Sequence, residues 1–239
     1  MSIEWKQKIH SAYTGASLYL RPAGAMYMVQ DALTALHAKN KCGNMELGRD
    51  YNSFWVITKS KVQFMRYPAW HESVLVSATT ADAGKVRTEL QVELRDEKGE
   101  VCVQARQELC VLDFAHHRPR RLADVGFTPE SEVLPKVCYE RFSADPLPCH
   151  YTQTVLLHMI DMSGHLNNVE YIKLALDCFD TDFTARYEPA ELEAHHLREC
   201  KEGALLTICE KTQGDTSLVR ILCEDSPAFE MKIIWREKE

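Results

Sequence analysis

The stretch DMSGHLNNVEYI, residues 161–172, gathers an acid (Asp161), a hydroxyl (Ser163), an imidazole (His165) and two amides (Asn167, Asn168) just before an apolar run. An imidazole beside an acid can move a proton near neutral pH. The N–H groups at the start of a helix can hold a developing oxyanion. Together these are the groups that acyl-transfer chemistry needs. Asp161, Ser163 and His165 alternate, so in an extended loop their side chains could point the same way. The structural alternative is a capped helix, since Asn167 or Asn168 is a favourable N-cap.

Some framework must position these groups. Residues 168–179 read as a helix with Val169, Ile172, Leu176 and Phe179 on one face. A leading strand over 151–160 precedes it. Strand-like runs over 195–200, 204–212, 217–225 and 228–235 follow, separated by Gly203, Gly214 and Ser226-Pro227. The first half has the same plan. A helix over 24–39 carries Met26, Val29, Leu33 and Leu36 at helical spacing, with Gly43 beyond its end as a stop signal. Period-two runs over 54–64, 72–81, 86–96 and 101–113 then form an antiparallel meander with one wet face. Residues 114–130, with Pro119, Gly126 and Pro129, break every periodicity and read as a crossing segment. One helix followed by a meander, twice, predicts an α+β fold with a helix against each sheet.

Bulk properties narrow the function. The 239 residues are 45% hydrophobic and 26% charged, as in an ordinary globular chain. The net charge of −7 argues against broad binding to nucleic acid or anionic membranes. No apolar run reaches the length of a membrane span, and the first residues carry no secretory signal, so a cytoplasmic location is expected. Nine cysteines are scattered singly without a CxxC pair, which predicts free thiols rather than a zinc site or disulfide framework. The adjacent pairs His116-His117 and His195-His196 diverge in extended chain and do not suggest a metal site.

His165-Leu166-Asn167-Asn168-Val169-Glu170-Tyr171-Ile172, with the preceding Asp161, resembles the signature of the acyl-acyl-carrier-protein thioesterases, double hot-dog proteins of plants and bacteria. FWVITKSKVQFMRYPAW (54–70) resembles that family's Trp-Val-hydrophobic-Thr-Lys strand and Tyr-Pro-x-Trp turn. LREC (197–200) resembles its Arg-Glu-Cys strand, and AFEMKIIW (228–235) its closing strand. The similarity spans nearly the whole chain in order.

The resemblance implies a tandem (double) hot-dog of two helix-wrapped antiparallel sheets. It implies an N-terminal unit at 1–115 holding the acyl chain, a linker at 116–147, and a C-terminal unit at 148–239 with the catalytic residues. It further implies hydrolysis of fatty acyl-acyl carrier protein by Asp161, His165 and Glu199, without metal or cofactor. Either His165 or Glu199 would be the general base. The family's asparagine position is Ser163 here, a shorter side chain without an amide's two donors. Asn167 and Asn168 would serve the substrate through the helix start, and Met26, Met28 and Val29 are candidate acyl-chain contacts whose alternative role is ordinary core. Lys59, Lys61, Arg66 and Arg118-Pro119-Arg120-Arg121 are the basic groups that could meet an acidic carrier protein. Cys200 invites a Cys–His reading, but strand alternation would turn it away from Glu199, making it a packed thiol. An acyl-CoA thioesterase of the same fold, a low-activity acyl-thioester-binding protein and a dehydratase are the rivals, and a homodimer stays open.

Overall fold

The computed structural model describes residues 1–128 and 134–238, so Pro129 of the crossing segment lies outside the described residues. The chain divides into two compact units, Met1–Cys138 and Tyr139–Glu239.

In the first unit, strand β1 (Ser2–Lys8) precedes helix α1 (Pro22–Lys39) and a short helix α2 (Asn44–Tyr51). Strands β2 (Ser53–Phe64), β3 (Ser73–Ala83), β4 (Arg87–Arg95) and β5 (Val101–Asp113) follow. The strands pair antiparallel in the order β1-β3-β4-β5-β2. Helix α1 packs on β1, β3 and β4, burying Met26, Val29, Leu33 and Leu36. Removing a buried side chain such as Leu36 (Leu36→Ala) would cost about 2–5 kcal/mol.

The second unit runs β6 (Cys149–Thr154), α3 (Asn168–Leu176), α4 (Thr181–Arg186), β7 (Tyr187–His196), β8 (Leu205–Gln213), β9 (Thr216–Cys223) and β10 (Ser226–Glu237). Its antiparallel order, β6-β8-β9-β10-β7, is that of the first unit. Helix α3 lies on β9 and β10.

The repeat extends to individual backbone hydrogen bonds. Ile9 N donates to Glu72 O as Val155 N donates to Ala204 O, both at 2.9 Å. Arg21 N donates to Tyr13 O as Asn167 N donates to Met159 O. Leu20 N donates to Pro68 O as Leu166 N donates to Cys200 O, both at 2.8 Å. Side chains differ at almost every one of these positions, which is why no repeat is visible as sequence identity.

Several elements depart from the sequence reading. Strand β6 stops at Thr154, and residues 157–159 form a 3-10 turn instead of more strand. Helix α3 ends at Leu176, because Asp180 caps α4 by accepting from Phe183 N at 2.7 Å. The strand expected over 195–200 ends at His196, and its true course lies upstream, in the acidic YEPAELEAHH. Pro189 and the glutamates there hide a strand whose register shifts between Ile234 and Trp235 on β10. Helix α2 and strand β1 lie outside the sequence reading too: only Leu47 is buried in α2, and β1 alternates exposed and half-buried residues with none fully buried.

Candidate active site

The hairpin between Ile160 and Leu166 carries most of the polar cluster. Asp161 N donates to His165 O at 2.9 Å and Gly164 N to Asp161 O at 3.0 Å, closing a tight turn. Gly164 sits at φ +81°, a conformation glycine adopts without penalty. The expected extended loop is therefore a turn. Asp161 Oδ1 instead accepts from Ser163 N at 2.8 Å and from Ser163 Oγ. This is the Asx-turn bonding by which a short acid stabilises its own loop. Among the described residues, no hydrogen bond joins the Asp161 carboxylate to His165 or Glu199.

His165 and Glu199 do meet. Nε2 of His165 lies 3.3 Å from Oε2 of Glu199, with both side chains partly open to solvent, 22% and 37% exposed. Residues 197–200 approach the hairpin as an irregular segment after β7. Leu197 N and Arg198 N both donate to Ala228 O, at 2.9 and 3.1 Å, and Cys200 O accepts from Leu166 N. The bond from Leu166, next to His165, to Cys200, next to Glu199, brings the two side chains together. Cys200 points the opposite way. It is 1% exposed, and burial pushes its thiol up to about 12. A thiol so held is not the nucleophile of a Cys–His pair. The opposed environments of Glu199 and Cys200 match the sequence reading, although a loop rather than a strand produces them.

Helix α3 begins beside the imidazole. Asn167 is its N-cap, its side chain accepting from Val169 N at 2.8 Å, and Glu170 N donates to Asn167 O. A cap of this kind contributes about 1 kcal/mol. It also uses two of the first-turn donors, so the oxyanion role expected of the helix start narrows. Asn168, half-buried as the first helical residue, keeps an N–H that no acceptor takes among the described residues.

The remaining expected residues fall elsewhere. Met26, Met28 and Val29 are buried on α1, at 4%, 2% and 0% exposure. Arg66 is bound by Glu72 and Asp96, so it offers no free charge to a carrier. Arg120 is spent on Tyr51 O and Ser53 Oγ. No cluster of metal-ligating side chains occurs among the described residues.

The matching hydrogen bonds also locate what the first unit has in place of the pair. Tyr19 stands where His165 does, and Tyr67 where Glu199 does, one residue before the carbonyl of Pro68. The first unit keeps the scaffold without an acid or an imidazole at either position.

A helix on a five-stranded antiparallel sheet, repeated along the chain, with His165 facing Glu199 at the helix start of the second copy, is a tandem hot-dog protein. Residues 6–126 match the acyl-ACP thioesterase N-terminal domain and residues 151–237 the acyl-ACP thioesterase C-terminal domain. The chain belongs to the acyl-ACP thioesterase family.

The fold is similar to that of an acyl-ACP thioesterase from Bacteroides thetaiotaomicron, with a TM-score of 0.84 at 16% identity over 98% of each chain. It is similar to the 12:0-ACP thioesterase of Umbellularia californica, with a TM-score of 0.82 at 17% identity over 99% of this chain and 98% of that one. Among curated proteins, the acyl-[acyl-carrier-protein] hydrolase FATB3, chloroplastic, of Cuphea viscosissima is 24% identical, over 70% of this chain and 44% of its own length. The dodecanoyl-[acyl-carrier-protein] hydrolase, chloroplastic, of Cinnamomum camphora is 22% identical, over 77% of this chain and 53% of its own. The chain thus spans about half the length of the curated relatives it matches.

Proposed function

We propose that this chain hydrolyses the thioester of fatty acyl-acyl carrier protein, releasing the fatty acid and holo-ACP. The observation that carries the reading is the 3.3 Å approach of His165 to Glu199, partly exposed beside the start of α3. The imidazole and carboxylate form a proton-relaying pair. One member takes a proton from water as its oxygen attacks the thioester carbonyl carbon. The tetrahedral oxyanion draws on a donor such as Asn168 N–H. The C–S bond then breaks and the sulfur leaves as a thiolate or, with the relayed proton, as a thiol. Thiols ionise near pH 8.5, so this leaving group needs little acid assistance. A positioned acid–base pair contributes roughly 10²–10⁴-fold, and one oxyanion donor about 10²–10³-fold.

Asp161 and Ser163 enter the reading through the turn that aims His165. Met26, Met28 and Val29 are proposed acyl-chain contacts.

The test is a panel of acyl chain lengths on carrier protein and on coenzyme A, run with wild type, His165→Ala, Glu199→Gln and Met26→Ala. Both site variants should lose at least 100-fold in kcat. Undiminished hydrolysis by both rejects the site. Preference for the coenzyme A thioester transfers the same chemistry to acyl-CoA, and tight binding without turnover identifies an acyl-thioester-binding protein. An unchanged chain-length ranking in Met26→Ala rejects the acyl-contact role of that residue.

A further inference from the structure

The segment that presents Glu199 is held on one further side. Tyr171, on α3, donates its hydroxyl to Arg198 O at 3.1 Å. That carbonyl belongs to the peptide plane joining Arg198 to Glu199, so fixing it restricts the backbone rotation that aims the Glu199 side chain. Tyr171 is well suited to the task. It is 2% exposed, its ring stacks on Phe229 at 5.3 Å and 20°, and burial pushes the phenol further up, so it stays a donor. The same segment is tied at Arg198 N to Ala228 O and at Cys200 O to Leu166 N.

The first unit provides an internal comparison. Its equivalent segment, Arg66-Tyr67-Pro68, keeps the two backbone ties, Arg66 N to Cys102 O and Leu20 N to Pro68 O. Four residues beyond Asn167 stands Tyr171, and four beyond its counterpart Arg21 stands Ala25. Alanine has no hydroxyl. The tyrosine donor thus stands in the unit whose segment bears a carboxylate, and the matching position has no hydroxyl in the unit where a tyrosine replaces that carboxylate. A merely architectural bond would have been as useful in both.

We propose that Tyr171 is a positioning residue for the reaction: its hydroxyl, through the Arg198 carbonyl, holds the Glu199 carboxylate against His165. The proposal rests on the reading of His165 and Glu199 as the reacting pair. Displacing a reacting group by about 1 Å can cost on the order of 10²-fold.

The experiment compares Tyr171→Phe with Tyr151→Phe, Glu199→Gln and the double variant Tyr171→Phe/Glu199→Gln, all in the full chain with an acyl-carrier-protein thioester. Tyr171→Phe removes one oxygen and keeps the ring on Phe229. Tyr151 also donates a part-buried hydroxyl to a carbonyl, that of Leu174 on the same helix, away from the Glu199 segment. Tyr171→Phe should lower kcat about 10- to 100-fold with KM within twofold and shift the acid limb of the pH profile. Tyr151→Phe should lose comparable thermal stability but less than twofold in kcat. In the Glu199→Gln background, Tyr171→Phe should add no further loss.

Full activity in Tyr171→Phe, or equal losses in both tyrosine variants, overturns the positioning role. So does a loss that adds fully to that of Glu199→Gln. If Glu199→Gln is itself fully active, the failure lies with the reacting pair, and the proposal falls with it.

Discussion

Leu18 holds, in the first unit, the left-handed backbone position that Gly164 holds in the second, at φ 64° and 81°. Each precedes the residue, Tyr19 or His165, whose carbonyl accepts from the amide that opens its turn, Gly15 N or Asp161 N. A leucine side chain is strained there and a glycine is not. Leu18 is 59% exposed, so little burial is lost on removing it. Leu18→Gly should raise the stability of the first unit by up to about 1 kcal/mol. A urea midpoint that falls in this variant contradicts the account.

The Asp161–Ser163 turn is read as a support for His165 rather than a participant in proton transfer. Asp161→Ala removes the acceptor of two hydrogen bonds in a partly exposed turn and should cost about 1–2 kcal/mol. Ser163→Ala removes one of them and should cost less. Ser163→Asn installs the amide that the family resemblance implies at this position, and its effect on kcat decides whether the serine is a loss or an adaptation. If Asp161→Asn, which can still accept through its amide oxygen, loses as much activity as His165→Ala, then Asp161 belongs to the reacting groups.

Cys200 lies beside Glu199 in sequence but is buried, with its thiol held far from ionisation. Cys200→Ala should retain hydrolysis within a few-fold while losing roughly 1 kcal/mol of packing. Thiol reagents should modify the exposed Cys138 and Cys149 long before Cys200. Loss of activity on early labelling contradicts this order.

His37 sets an acid limit on stability. It is 6% exposed, stacked on Trp55 at 4.8 Å, and burial lowers its imidazole from 6.5 to about 4. Between those values the unfolded chain binds a proton that the folded chain refuses. Stability therefore falls as pH drops from about 6.5 towards 4, by roughly 3 kcal/mol at most. His196, lowered to about 3 by burial and by its neighbour His195, adds to the same trend. His37→Phe keeps an aromatic ring on Trp55 and should flatten the slope of urea midpoint against pH over this window. An unchanged slope assigns the acid sensitivity to other groups.

Much of this was legible in the residues. Helix α1, strands β2 to β4 and strands β8 to β10 bury chiefly one face and β5 buries residues on both, so their apolar content announces them. The H-x-N-N-x-x-Y-I motif led to His165, and LREC to Glu199. What stayed hidden carries a weaker apolar signal: β7 interleaves its buried positions with glutamates, β1 alternates but its inner face is only half-buried, and α2 buries a single leucine.

The local pattern narrows the cap to Asn167 or Asn168, of which the structure uses Asn167, because a cap depends on residues a few positions away. It predicted the wrong geometry for Asp161, Ser163 and His165, since alternation places side chains together only while the chain stays extended. The meeting of His165 with Glu199, and the hold of Tyr171 on the carbonyl before it, depend on bonds between segments distant in sequence. No periodicity records such bonds: they exist once β7, β10 and α3 have packed and brought Ala228, Leu166 and Tyr171 to one short stretch of backbone.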